Sequence, residues 1–175
     1  MKNLTRSLLI SGILMGTLAT TAQIEKVSGG LPVIGAITED GKRCENAQIT
    51  VYESNQVVNS FKTPRNGSFQ LLLMPGKYYT LDVTKDGYVA KRISFDTEMN
   101  DKTNSVPVYE CDLDLVPQVL FQGMDIGMLD FPMAIVEFDA RSRSFTHNEK
   151  YTTHMRKTYE QLIIEGYVIN STAME

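Results

Sequence analysis

The chain has 175 residues, with 17 Lys and Arg against 21 Asp and Glu, a formal charge of −4 and 42% hydrophobic residues. That length suits one domain, or a small domain with an appendage. The acidic balance argues against nucleic acid or anionic lipid as a partner, because both are held by clustered Lys and Arg.

The first segment reads as a targeting signal. Lys2 and Arg6 precede the apolar run LLISGILMGTLA, and small residues follow before Gln23. These are the parts of a secretory signal peptide over 1–22, with cleavage between Ala22 and Gln23 and Thr20 as the small residue before the cut. As a membrane anchor the run would be short, since a spanning helix needs about 20 apolar residues. No Cys follows it to serve as a lipoprotein acceptor, and no second apolar stretch of spanning length occurs. Loss of Lys2 and Arg6 leaves 15 basic against 21 acidic residues, a formal −6. The expectation is an exported chain without a membrane span after signal removal.

From residue 31 to about 116, short apolar segments alternate with turn signals. VIGAIT, AQITVYE, QVVNSF, GSFQLLL, YYTLDV and YVAKRISF read as strands in chain order. Their alternation turns Ile49 and Val51, then Phe69, Leu71 and Leu73, then Tyr79, Leu81 and Val83, then Val89, Ile93 and Phe95 to one face each. Asp40-Gly41, Asn66-Gly67, Pro75-Gly76 and Asp86-Gly87 supply the reversals. CDLDL adds a strand with Cys111, Leu113 and Leu115 inward, and the polar stretch 97–105 reads as an exposed tip. Six or seven strands without intervening helices predict a mainly β fold, an antiparallel Greek-key β-sandwich over 23–116.

A different texture begins at 117. PQVLFQGMDIGMLDF is apolar but broken by glycines, FPMAIVEF reads as one further strand, and a helix is predicted over about 147–165. Thr146 and Glu149 have capping-box spacing. Tyr151, Met155, Tyr159, Leu162 and Ile163 form an apolar stripe suited to packing on the sandwich or, alternatively, to a partner. Gly166 is placed to stop the helix. The extension 117–175 thus carries one strand and one helix.

Candidate chemistry is sparse. His147 and His154 lie two helical turns apart, about 10 Å, and cannot hold one metal ion together; HNEKYTTH is not an HExxH motif. Asp112 and Asp114 share a strand face, where solvated outward positions explain them better than calcium. Cys44 and Cys111 are either a disulfide in an oxidising compartment or two small buried side chains. No catalytic, cofactor-binding or metal residue is assigned, and no cofactor is expected.

The ordered set Gly35-x-Ile37, Asp40-Gly41-Lys42, Ala47-x-Ile49-x-Val51, Thr63, Gly67-x-Phe69-x-Leu71-x-Leu73, Gly76, Tyr79-x-Leu81-x-Val83 and Gly87-Tyr88 resembles the carboxypeptidase regulatory-like domain, a transthyretin-like β-sandwich. The likeness spans about residues 33–96. Pro64 stands where that family often has Asp, and Cys44 takes a usually apolar position, which favours a buried over a reactive thiol. The resemblance implies a non-catalytic module of Bacteroidetes-type envelope proteins. The histidines and Tyr-Arg-Gly-Ser ending of the hydrolytic transthyretin-like relatives are missing here.

The functional expectation is therefore a non-enzymatic adaptor, periplasmic, outer-membrane-associated or secreted, that binds another envelope protein through edge strands or loop tips. The alternative is a binder of cell-wall carbohydrate using Tyr52, Tyr88 and Tyr109, poorly supplied for stacking because the chain has no Trp. A third reading is a hydrolase between sandwich and helix, using His147 or His154 with a carboxylate.

Overall fold

A computed structural model of the chain describes residues 29–99 and 106–172. The signal segment, with the cut at Ala22 and Gln23, lies outside the described residues.

Two sheets face each other. The smaller is built on β1 (Leu31–Glu39), which turns back through β2 (Lys42–Arg43) and pairs with β5 (Ser68–Leu73). The larger runs β11–β10–β7–β6–β3–β4, from β3 (Gln48–Glu53), β4 (Gln56–Lys62), β6 (Tyr78–Thr84), β7 (Lys91–Asp96), β10 (Ala134–Asp139) and β11 (Ser144–His147). The fold is the expected β-sandwich with an appended helix, and its main ladders are antiparallel. Three pairings differ: β8 (Tyr109–Glu110) and β9 (Leu113–Leu115) run parallel to β1, and β10 runs parallel to β7. β8 and β10 each enter their sheet from the opposite one, and β9 continues β8 along β1, so no hairpin constrains their direction.

The period-two reading located the core. Ile49, Val51, Leu81, Val83, Ile93 and Phe95 meet Val33, Ile37, Leu113 and Leu115 between the sheets, each no more than 6% exposed. Val136 and Phe145, from after residue 116, belong to the same core. Val89 does not join Ile93 and Phe95. It precedes β7 and packs with Leu120, Phe121, Leu129 and Tyr159 in a second apolar cluster. The inward position beside Ile93 is instead filled by Lys91, 6% exposed.

Two threonines bolt the turns. Thr63, 2% exposed, donates its hydroxyl to the Cys44 carbonyl at 2.8 Å and accepts the Ala47 N–H at 3.0 Å. Thr97 was expected at an exposed tip, but it is fully buried and holds the Pro75-Gly76 turn through the Lys77 N–H and the Met74 carbonyl. The rest of that tip, 100–105, lies outside the described residues.

The C-terminal helix α1 (Glu149–Thr172) departs from its predicted bounds at both ends. Thr146 pairs with Glu137 in β11, a strand absent from the expectation, so it cannot cap. Asn148 caps instead: its N–H bonds to the Ile135 carbonyl and its side chain accepts the Tyr151 N–H at 3.1 Å. Gly166 does not stop the helix. It is buried against the 3₁₀ turn Gln118–Phe121, and a Cβ there would collide with the Leu120 carbonyl. Met155 and Tyr159 pack inward as the stripe predicted. No helix among the described residues is long and apolar enough to cross a membrane.

Candidate functional site

Among the described residues β4 and β5 are both edge strands with one unpaired side, and β4 is the longer. Ser54 and Asn55 both take positive φ, 48° and 68°, which matches a two-residue hairpin turn and folds β4 back along β3. β4 is the outermost strand of its sheet, and β3 is its sole partner among the described residues. Its residues are exposed apart from Phe61, which is half-buried against the main core. Val57 and Val58 are 57% and 52% exposed. The register slips at Val58, so this strand carries a bulge as well as an open edge.

Phe61 also lines a cleft of about 780 Å³ that reaches across β1 and β5 past Ile34, Ala36 and Gln70, with Arg43 and Asp112 at its lips. Its floor is tight: a Cβ on Gly35 would strike the Cys111 carbonyl. Asp112 and Asp114 are not merely solvated. Asp112 Oδ1 accepts the Ala36 N–H at 2.7 Å, while Asp114 Oδ1 accepts from Thr38 Oγ1 at 2.6 Å and the Gly41 N–H at 3.2 Å. They satisfy donors along β1 and in the turn that follows it. Among the described residues no group of three His, Cys, Asp or Glu could hold a metal ion.

A second, smaller groove of about 330 Å³ lies on the larger sheet, lined by Tyr78, Thr80, Ser94, Asp96 and Glu137. Tyr78 is 61% exposed, and the carboxylate of Asp96 beside it raises its phenol above the usual tyrosine range. The tyrosines expected to form a sugar platform are placed less favourably. Tyr109 stacks edge-on to Phe95 at 5.7 Å against the core, Tyr88 lies under the Lys85 ammonium, and Tyr52 is half-buried. Tyr78 was legible as the outward neighbour of the inward Tyr79, a consequence of alternation that the sequence reading did not draw.

Cys44 and Cys111 are both buried free thiols, so the candidate bridge is not formed. Cys44 lies beside Lys85 and Glu39 at the seam between the sheets. The Lys85 ammonium holds the Glu39 carboxyl below its usual range, and Glu39 in turn holds Lys85 above the usual lysine range. His147, at the end of β11, and His154, on α1, are both exposed, and neither imidazole meets a carboxylate among the described residues.

Neither a family model nor a curated protein sequence matches the chain. Among solved structures it is similar to a DUF3823 family protein from Parabacteroides merdae, 19% identical over 51% of this chain and 47% of that one, with a TM-score of 0.36. It is also similar to 5-hydroxyisourate hydrolase from Klebsiella pneumoniae, 8% identical over 67% and 96% of the two chains, TM-score 0.34. A type II cohesin–X-dockerin complex from Acetivibrio cellulolyticus is 23% identical over 56% and 62%, TM-score 0.34. The chain spans about half the length of the first of these. At such TM-scores the likenesses carry no argument about family or activity.

Proposed function

We propose that the chain is a non-enzymatic, exported binding module that takes an extended segment of another envelope protein along the free edge of β4. The observation that carries this reading is the character of that edge. From Gln56 to Ser60 it holds neither charge nor proline, and its two valines face solvent. Sheet edges are usually blunted by inward charges, proline or a covering element; here a bulge is the one such device within the stretch. An added strand would draw affinity from backbone hydrogen bonds and selectivity from a side chain entering the cleft beside Phe61. The resemblance to the carboxypeptidase regulatory-like domain, the signal-like start and the acidic charge support an exported, non-catalytic role.

The test compares the tagged chain with a Val57→Lys/Val58→Lys variant after crosslinking in cells. A specific envelope protein should co-purify with the wild type and fall by roughly tenfold with the variant, a loss of about 1.4 kcal/mol, while the circular dichroism of the two agrees. Equal recovery from both would remove β4 from the reading.

A second reading, a carbohydrate binder, is favoured by Tyr78 with Asp96 and Glu137 on the larger sheet. An aromatic face beside hydrogen-bonding carboxylates is the kind of surface a sugar ring takes. Retention of cell-wall glycan by the wild type and its loss in Tyr78→Ala, with β4 intact, would select it.

A further inference from the structure

The thiol of Cys44 has two charged neighbours. Its sulfur accepts a hydrogen bond from Lys85 Nζ at 3.2 Å, from a residue 41 positions away. The same ammonium is paired with Glu39 Oε2 at 2.7 Å, and that oxygen lies 3.8 Å from the sulfur. Cys44 follows β2 on the smaller sheet and Lys85 follows β6 on the larger one. Backbone bonds fix the cysteine on both sides: its N–H donates to Ile37 at 2.9 Å, and its carbonyl accepts from Thr63 at 2.8 Å. Cys44 is fully buried, whereas the Lys85 and Glu39 side chains stay 23% and 32% exposed. The sulfur is therefore one side chain away from solvent. Cys111 has no such company: it is buried among Leu113, Leu115 and other core residues.

We propose that Cys44 and Lys85 form an oxidative cross-link: a hydroperoxide converts the Cys44 thiol to a sulfenic acid, and the Lys85 amine then displaces water from that sulfur to give an S–N bond between the two sheets. In the first step the sulfur takes the terminal oxygen of the peroxide. The O–O bond breaks, the alcohol or water leaves, and the two electrons lost by sulfur reduce the peroxide. In the second step Nζ gives up a proton, attacks sulfur, and the S–OH bond breaks without further oxidation. The nitrogen loses two protons in all. One leaves with the hydroxide as water, and the other is released to solvent, to which the Lys85 side chain is partly open.

Sulfenic acids are trapped in this way by thiols and by backbone nitrogen. Here the group within contact of the sulfur is the Lys85 ammonium, held by its ion pair with Glu39, and it becomes the nucleophile on losing a proton. A separation of 3.2 Å between the sulfur, whose backbone is bonded on both sides, and an Nζ held by its ion pair is the geometry in which such a step becomes effectively intramolecular. The product would staple the sandwich across its seam, as a disulfide would.

The experiment treats the reduced, full-length chain with hydrogen peroxide and follows it by intact mass, peptide mapping and thermal melting. The expected product is lighter than the reduced chain by two hydrogens and yields a peptide joining the Cys44 and Lys85 segments. Dithiothreitol reverses it, and the melting temperature rises on the order of 10 °C. Lys85→Arg keeps the cation but should give no joined peptide, and its sulfenic acid should be captured by dimedone. Cys44→Ser should give neither product. Two results would overturn the proposal: Cys44 staying a thiol under peroxide that oxidises a free small-molecule thiol, or dimedone labelling the wild type as fully as Lys85→Arg with no joined peptide.

Discussion

Lys91 shows how one residue can run against its neighbours' pattern. Period-two alternation gives it an inward position, and the fold buries it, with Nζ 4.5 Å from the centre of the Tyr159 ring on α1. Burial drives its pKa from 10.5 down to about 8, opposed by the negative charge of Asp114 on β9. The unfolded chain therefore holds the proton more tightly. Below about pH 8 the cost of burying the charge is fully present; between 8 and 10.5 the folded chain releases its proton first and stability rises with pH. The span corresponds to roughly 3 kcal/mol, reduced by the cation–π contact. Lys91→Met is accordingly expected to raise the urea midpoint at pH 7 and to lose most of that advantage by pH 10.5. Cys111 and Tyr109, both pushed up to about 12 by burial, act with the opposite sign in the alkaline range. The difference between wild type and variant isolates the lysine. A constant difference across pH 7 to 10.5 would mean that Lys91 does not titrate as buried.

At the scale of elements, α1 is decided by contact rather than by propensity. Glycine is about 1 kcal/mol poorer than alanine inside a helix, which is why Gly166 reads as a stop in the sequence. It persists because the helix lies so close to the 3₁₀ turn that no side chain fits over Leu120. Asn170 bridges the same contact, donating to the Leu120 carbonyl at 3.0 Å. Gly166→Ala should therefore lower the melting temperature by several degrees, about 1–3 kcal/mol, although alanine favours helix. A rise would show that the turn yields easily. The strand edge at β4 was legible as a strand but not as an edge, because alternation says nothing about which neighbours a strand acquires. The turn signal was weaker than elsewhere, Ser54-Asn55 in place of an Asn-Gly pair.

For the molecule as a whole, the segment after residue 116 is part of the sandwich. β10 and β11 extend the larger sheet, Val136 and Phe145 enter its core, and α1 covers Lys91 and Val89 through Tyr159. A chain ending after Phe138 is expected to lose several kcal/mol, since Phe145 and Tyr159 alone would leave two aromatic-sized gaps. Its chemical denaturation should show a lower midpoint, with dye binding that reports exposed core. A cooperative transition at the wild-type midpoint would make the extension dispensable to the fold. Partner recovery is better tested by point changes on β4, which leave the core untouched.

Local chemistry was enough for the longer strands, most of their inward faces and four glycine turns, because side-chain alternation and positive φ are properties of neighbouring residues; it missed β2, β8 and β11 and misplaced Val89. The same reasoning found the apolar stripe of α1. What it could not reach were the relations between distant segments: β10 beside β7, Lys91 beneath Tyr159, and Tyr78 with Asp96 and Glu137 on one face. The meeting of Cys44, Lys85 and Glu39 belongs with these. Glu39 and Cys44 are neighbours across the β1–β2 turn, five residues apart, but Lys85 lies 41 residues beyond the thiol, and only the closure of one sheet over the other brings its ammonium to them.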